Sequence, residues 1–413
     1  MTKFLNYLLS FMMVTFSALS CAKQAEKPKE NIIERKDIPL TKTQQAYVQA
    51  NNQFAFNLLK EVYKEANAKS FIVSPLSVSY AMGMLNNGAQ SNTLSQINSA
   101  LGYKDDGLLA LNEFSKYLME QTAKVDPSTK VDIANAVVSN KDLLSLKEKF
   151  VSDVTNYYNA EVTGMSFSKD DVLGHINGWC KNKTQGMIPK ILDGVDQGAL
   201  VYLLNAIYFK GIWLSKFDAN LTKDEKFTKE DGSVVNVKMM RKRSKFMLSA
   251  NEVYESLCLP YGNGAYNMMV LLPTEGHKVQ DIVNSLNYDS WKDNLSKLNS
   301  YEVDIKLPKF ETSYEIELNK ALMSLGVEDA FDSKKADFKA MSDNAGFINR
   351  VFQKAKIKLD EEGTEASAVT VIDMVTSIGP GGVFYFHADR PFLYAITEVS
   401  TGAVFFLGQY QGD

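Results

Sequence analysis

Acid–base chemistry near neutral pH usually needs a histidine, and this chain offers His175, His277 and His387. None stands in a hydrolase pattern: no GxSxG elbow presents a serine, and no HExxH pair presents zinc ligands. His175 shares a helical pattern with Trp179 and reads as structural. His277 follows Gly276 in a loop pattern, and His387 precedes Asp389 near a strand start. The cysteines Cys21, Cys180 and Cys258 make no CxxC pair and no Cys/His cluster, so neither a zinc nor a redox motif is present. Cys180 and Cys258 read as buried free thiols, with a bond between them as the alternative. Gly262-Asn263-Gly264 lacks the flanks of a Walker or dinucleotide loop and reads as a turn. Lys238, Arg241, Lys242, Arg243 and Lys245 form a short basic cluster without aromatic interleaving. A solvated strand end is the simpler reading, and a polyanion site the alternative. No cofactor, metal or enzyme activity is expected.

A different stretch has the least ordinary pattern. Lys354-Ala355-Lys356-Ile357-Lys358-Leu359 alternates strictly, as a half-buried strand does. Ala355, Ile357 and Leu359 share one face and the lysines the other. Glu361-Glu362-Gly363-Thr364-Glu365-Ala366-Ser367-Ala368-Val369-Thr370 follows. Thr364, Ala366, Ala368, Thr370, Ile372 and Met374 would line one face of a continued strand. Glu365, Ser367, Val369, Val371 and Asp373 would line the other. No proline interrupts Glu361 to Gly379, so every amide there can join a ladder. Much of the segment lacks the bulk that normally holds a strand. It reads as a loop able to become a strand.

The chain has 413 residues, 45% of them hydrophobic, enough for a large core. A net charge of -4 argues against general nucleic-acid binding. Lys3 and the apolar residues 4–19 form a signal-like segment ending in Ala18-Leu19-Ser20-Cys21. Small residues before a cysteine resemble a bacterial lipoprotein processing site, with Cys21 as the lipid attachment. Ala18 departs from the usual leucine, which leaves ordinary signal cleavage open. The expected layout is a signal peptide over 1–20, a charged tether over 21–44 and one domain over 45–413. The expected place is the cell envelope of a bacterium, with the lipid holding the chain to a membrane, at the surface or released.

The elements that must position the loop follow in order. Residues 44–66 carry a helical stripe with Phe54, Leu58 and Val62. Phe71-Ile72-Val73 reads as a short strand, with Ser74 as N-cap and Pro75 opening a helix past Ser77. Val131 to Ser139 is a strand bearing Asn135. Leu203-Leu204-Asn205-Ala206-Ile207-Tyr208-Phe209-Lys210-Gly211-Ile212-Trp213 is an apolar run of strand length, covered on both faces. Asn205 inside it must find partners or cost about 1–3 kcal/mol. Further strands are expected at 234–240, 266–272, 303–310 and 391–408, the last turning at Ser400-Thr401-Gly402.

The run Glu361 to Ala368 resembles the hinge of a serpin, a family of protease inhibitors that insert a loop into a sheet. Ser74-Pro75-Leu76-Ser77, His175 to Trp179, Leu203 to Trp213, Leu307-Pro308-Lys309-Phe310 and Arg390-Pro391-Phe392 resemble further landmarks in family order. The resemblance covers residues 45 to 410. It implies an α+β serpin fold: one large domain, a main mixed sheet, further sheets, about eight or nine helices and an exposed reactive loop over 361–386. Ser74, Ser77, Asn205 and Gln353 match the shutter, where the sheet opens. Trp213 matches the breach, where the loop enters. Gln353 replaces a histidine usual in the family, so it cannot titrate. Arg390 stands where a histidine is common, and the loop beyond the cleavage site is longer than usual through Gly379-Pro380-Gly381-Gly382.

By resemblance, a target serine protease acylates a loop carbonyl, and the cut loop enters the sheet with the protease attached. Family spacing places the scissile bond at Ser377-Ile378, with Val375 and Thr376 as alternatives. No Lys or Arg lies between Lys358 and Arg390, so elastase-like or subtilisin-like proteases are the expected targets, with papain-like cysteine proteases as weaker ones. The expected molecule is a monomer. The rival reading is a non-inhibitory member acting as a binding or carrier module. Small hinge residues such as Thr364, Ala366 and Ala368 favour inhibition.

Overall fold

The computed structural model describes residues 34–103, 107–364 and 382–413. Thr41 and Gln44 cap each other's backbone and open α1 (Lys42–Ala66). Ile38, ahead of it, is buried and donates its N–H to Ser400 Oγ at 2.9 Å. The lead-in to the domain is therefore docked from Ile38 onward, earlier than the boundary expected near residue 44. The strand β1 (Phe71–Val73) runs into α2 (Pro75–Gly88) through the Ser74 cap and Pro75. Nearly every residue of α2 is buried, as a helix lying beneath a sheet requires. After α3 (Ser91–Ala100) and α4 (Leu108–Thr122) come β2 (Lys130–Asn140), α5 (Glu148–Tyr158), β3 (Ala160–Met165) and α6 (Val172–Lys183). The apolar run forms β4 (Val201–Ile212).

The chain then builds β5 (Lys223–Thr228), β6 (Val234–Ala250), β7 (Tyr254–Tyr261) and β8 (Tyr266–Pro273). The helices α7 (Val279–Ser285) and α8 (Tyr288–Ser296) precede β9 (Asn299–Pro308), β10 (Phe310–Glu317) and α9 (Asn319–Ser324). The last strands are β11 (Phe352–Leu359), β12 (Gly363–Thr364), β13 (Phe384–His387), β14 (Phe392–Glu398) and β15 (Val404–Tyr410). Ala355, Ile357 and Leu359 of β11 are buried as their alternation predicts.

Two sheets organise these strands. The mixed sheet has six strands in the order β10-β11-β12-β4-β2-β3, with β2 and β3 parallel. The second has nine, running β1-β15-β14-β8-β7-β6-β9-β13, with β5 beside β6. Phe209 of β4 meets Tyr261, Tyr266 and Phe406 of the second sheet. On the other face Ile176, Trp179 and Cys180 of α6 pack with Leu204 and Ala206 of β4. That double cover explains the apolar run. The architecture is α+β, with nine α-helices among the described residues.

Two sequence readings change. The basic cluster is not at a strand end, because it lies inside the 17-residue β6, though Lys238, Arg241, Arg243 and Lys245 are exposed as expected. Lys238 pairs with Asp224, Arg241 with Asp304 and Arg243 with Glu302, while Lys242 is buried. His175 is exposed on α6, whereas Trp179 one turn on is buried. His387 ends the short β13, ahead of the strand β14 that it was expected to adjoin, and its Nε2 lies 3.6 Å from Asp304 Oδ1. Cys180 and Cys258 are free and buried, and burial pushes their thiols up to about 11 and about 12. Both are inert at neutral pH.

Candidate functional site

The glutamates after β11 turn the chain back on itself. Asp360 N–H donates to Gly363 O at 2.9 Å, and Gly363 N–H returns to Asp360 O at 3.2 Å. Gly363 sits at φ 147°, and a Cβ there would come within 2.7 Å of Ile212 Cα. The two-residue β12 then slots between β11 and β4. Thr364 lies opposite Leu359 on one side and Gly211 on the other. Among the described residues β4 and β11 share no ladder of their own, and β12 alone bridges them. Thr364 is 2% exposed, and its hydroxyl meets Tyr261 OH at 2.7 Å.

Aromatic rings and ion pairs fix this entrance. Trp213 stacks on Tyr261 with ring centres 4.4 Å apart. Its Nε1 donates to Asp360 O at 2.9 Å and its backbone N–H to Glu362 O at 2.8 Å. Glu361 accepts from Lys309 Nζ at 2.8 Å and from Thr222 Oγ1 at 2.8 Å. Burial raises the Glu361 carboxyl, but the bonds from Lys309, its own backbone N–H and Thr222 outweigh it and hold the group below the usual glutamate range. Glu362 pairs with Lys216, whose carbonyl accepts from the buried Lys242 at 2.6 Å.

Deeper in the slot the contacts are neutral. Ser74 N–H donates to Gln353 Oε1 at 2.8 Å, and Gln353 Nε2 donates back to Ser74 O at 2.9 Å. Ser74 Oγ donates to Phe405 O at 2.7 Å and accepts from Ser77 N–H at 3.3 Å. Ser77 Oγ donates to Asn205 Oδ1, and Asn205 Nδ2 to Asn135 Oδ1 at 2.6 Å. Asn135 Nδ2 donates to Tyr158 O at 2.6 Å, Tyr158 OH to Asn112 Oδ1 at 3.0 Å, and Asn112 Nδ2 to Asn87 Oδ1 at 2.7 Å. The chain of bonds links β11, α2, β4, β2, α5 and α4. Every member that leaves water has a partner, so the network holds the two strands at the slot to the layer beneath.

Ser74, Ser77, Asn205 and Gln353 thus meet at one level of the slot, and Trp213, Glu361, Glu362, Gly363 and Thr364 at its upper end. Glu365, Ala366, Ser367, Ala368, Val375, Thr376, Ser377, Ile378 and Cys21 lie outside the described residues. Tyr261, Tyr158 and Lys216 were not foreseen, and Lys242 and Lys309 were singled out only as part of a basic cluster and of a family landmark. One signal for Tyr261 was available. Gly211 interrupts an apolar strand, and a Cβ there would come within 2.7 Å of the Tyr261 ring.

The family model described as serpin, a serine protease inhibitor, matches residues 49–411. Serpin B6 of Macaca fascicularis is 32% identical over 373 residues, covering 88% of this chain and 98% of that protein. Iripin-2 of Ixodes ricinus is 32% identical over 368 residues, covering 87% and 92%. The native-state structure of the thermophilic serpin tengpin superposes with a TM-score of 0.82 at 29% identity, covering 92% of this chain and 96% of its own. Human thyroxine-binding globulin complexed with its hormone superposes with a TM-score of 0.81 at 26% identity, covering 89% and 98%. The matching family model describes an inhibitor and not an enzyme. With matches across nearly the whole folded chain, this protein belongs to the serpin family.

Proposed function

We propose that this chain traps serine proteases of elastase-like or subtilisin-like specificity as covalent acyl complexes, by inserting its cleaved loop between β4 and β11. The observation that carries the reading is β12. The first loop side chain, Thr364, already occupies the slot with ladder partners on both sides. Insertion would extend a strand that has begun, and strand extension needs no new nucleus. Residues 364–377 would span about 46 Å at about 3.3 Å per residue. The added ladder and buried face would drive the change, and the uncut state would persist for kinetic reasons.

Specificity rests on the absence of Lys and Arg between Lys358 and Arg390. A trypsin-like pocket would keep its buried carboxylate unpaired, a penalty of about 1–3 kcal/mol or more. A shallow apolar pocket loses nothing comparable on Val375, Thr376 or Ser377. Incubation with a protease panel should give denaturant-stable complexes with elastase-like or subtilisin-like enzymes, and papain-like enzymes should trap less well. The released fragment should begin at Ile378 or within about two positions of it. Efficient trapping of a trypsin-like enzyme, or a cut outside 374–380, defeats the proposal.

Export and lipid attachment at Cys21 extend the proposal. Mass spectrometry of the mature protein should find an acylated Cys21 as the first residue in the membrane fraction. An unmodified chain beginning elsewhere in the soluble fraction contradicts it.

A further inference from the structure

One buried carboxylate stands outside the slot and its two sets of contacts. Asp126, in the loop between α4 and β2, is 2% exposed, and among the described residues it has no ion-pair partner. Neutral donors satisfy it instead. Its Oδ1 accepts from Ser128 N–H at 3.0 Å and Ser128 Oγ at 2.7 Å. Its Oδ2 accepts from Thr129 Oγ1 at 2.6 Å and Asn263 N–H at 3.3 Å. The first three donors belong to its own loop, and the fourth belongs to the turn between β7 and β8. That turn is pressed against the carboxylate. Gly262 sits at φ 49°, and a Cβ there would come within 2.8 Å of Asp126 Cγ. Asn263 Nδ2 also donates to Val125 O at 3.0 Å.

The same turn ends at the entrance of the slot. Gly262 N–H donates to Ile212 O at 2.8 Å, Leu214 N–H donates to Pro260 O at 2.8 Å, and Trp213 bridges to Tyr261. Tyr261 is the ring that stacks on Trp213 and meets the Thr364 hydroxyl. It is also the chain neighbour of Gly262, so a shift of the turn carries the ring with it. A carboxylate suits this place better than an amide, because it accepts only and takes all four donors at once. An asparagine that kept both bonds from Ser128 would aim its nitrogen at Thr129 and Asn263. The threonine hydroxyl can turn and accept, but a backbone N–H cannot.

We propose that Asp126 is a positioning residue for the entrance. Its charge, held by neutral donors, pins the 262–264 turn and so sets Tyr261 against Thr364. The pinning stands on the contacts themselves. Its bearing on loop insertion rests on the function proposed above.

The reporter for the test is Trp213, in a Trp179→Phe, Trp291→Phe background of the full chain. Asp126→Asn should shift the Trp213 emission, because the stack on Tyr261 loosens. Ser128→Ala removes a bond to the same carboxylate without touching the turn, and should leave the emission alone. Both should lower the melting temperature slightly, which separates positioning from stability. Gly262→Ala pushes the turn off from the other side. It should reproduce the shift, with no further change when combined with Asp126→Asn. Subtilisin is then added. The ratio of cleaved to trapped chain should rise about fivefold in Asp126→Asn, as for one lost hydrogen bond, and stay at the wild-type value in Ser128→Ala. An unchanged emission in folded Asp126→Asn, or an equal shift in Ser128→Ala, overturns the positioning role. A shifted emission with an unchanged ratio overturns its bearing on insertion and leaves the trapping function standing. A wild-type chain that is cleaved but never trapped tells against the function itself, and the emission alone then decides the role of Asp126.

Discussion

The entrance of the slot and its middle are held by different forces. At the entrance Glu361 and Glu362 pair with Lys309 and Lys216 around the Trp213–Tyr261 stack. In the middle Gln353, Ser74, Ser77, Asn205 and Asn135 exchange bonds without one formal charge. Burial explains the division. Ser74 and Asn135 are 0% and 1% exposed, where an ion would cost several kcal/mol to desolvate. Each entrance pair keeps one partner partly in water, Lys309 at 41% and Glu362 at 37%, and gives the more buried Glu361 and Lys216 an opposite charge, so charge is tolerated there. The lesson is a separation of controls. Acid and salt act on the entrance, where the proposed insertion would begin, and leave the middle to neutral geometry.

The largest expected break comes from placing an unpaired charge between the two regions. Thr364→Arg puts a guanidinium where a 2% exposed hydroxyl now meets Tyr261. Burying it without a partner costs several kcal/mol, so the chain should be cleaved and released without trapping its protease. Thr364→Ser keeps the hydroxyl and should keep trapping. On a denaturing gel the arginine variant should yield cleaved chain and free protease. An undiminished complex band would show that Thr364 is not the leading residue of insertion.

A smaller effect follows from emptying the middle. Gln353→Ala strips the partner from Ser74 N–H, at about 1–3 kcal/mol for a buried group left unpaired, while Ser74 O keeps its bond from Val78 N–H at 3.2 Å. Urea denaturation should show that loss without any shift in its dependence on pH between 3 and 7, because none of the removed bonds involves an ionising group. A pH-dependent loss would contradict the neutral description of this region.

Much of this arrangement was legible in the sequence because the signals were local. The alternation through Lys354 to Leu359, the Ser74–Pro75 cap and the apolar run around Asn205 each specify an element within a few residues. The partners of those elements were not legible. Tyr158 and Asn112 reach the neutral network from helices, and Lys216, Lys242 and Lys309 reach the entrance from three separate segments. Only the fold brings them together. The basic cluster misled for the same reason. Its residues look like a strand end in sequence, but β6 runs on to Ala250, and the neighbouring strands β5 and β9 bring Asp224, Glu302 and Asp304 beside the exposed Lys238, Arg243 and Arg241.

The smallest effect sharpens the comparison most, because it should touch the entrance alone. The Glu361 carboxyl is held below its ordinary value of 4.5 in the folded chain, where the bonds from Lys309 and Thr222 outweigh burial. A depressed acid contributes stability that is complete above the unfolded value and disappears as pH falls through the folded one. Acidification below about 4.5 should therefore loosen the hinge from the entrance. Lys309→Met removes one of the bonds that lower the carboxyl and leaves the burial that raises it, so the loosening should move to higher pH. Lys309 is partly in water, so the pair is worth only about 0.2–1 kcal/mol, and raised salt should shrink the difference between variant and wild type. Trp213 reports the event through its stack on Tyr261 and its bond to Asp360 O. Its fluorescence can be followed in a Trp179→Phe, Trp291→Phe background. Coincident acid transitions for Lys309→Met and its parent would mean that charge does not hold the entrance. The contrast with the neutral middle would then rest on packing alone.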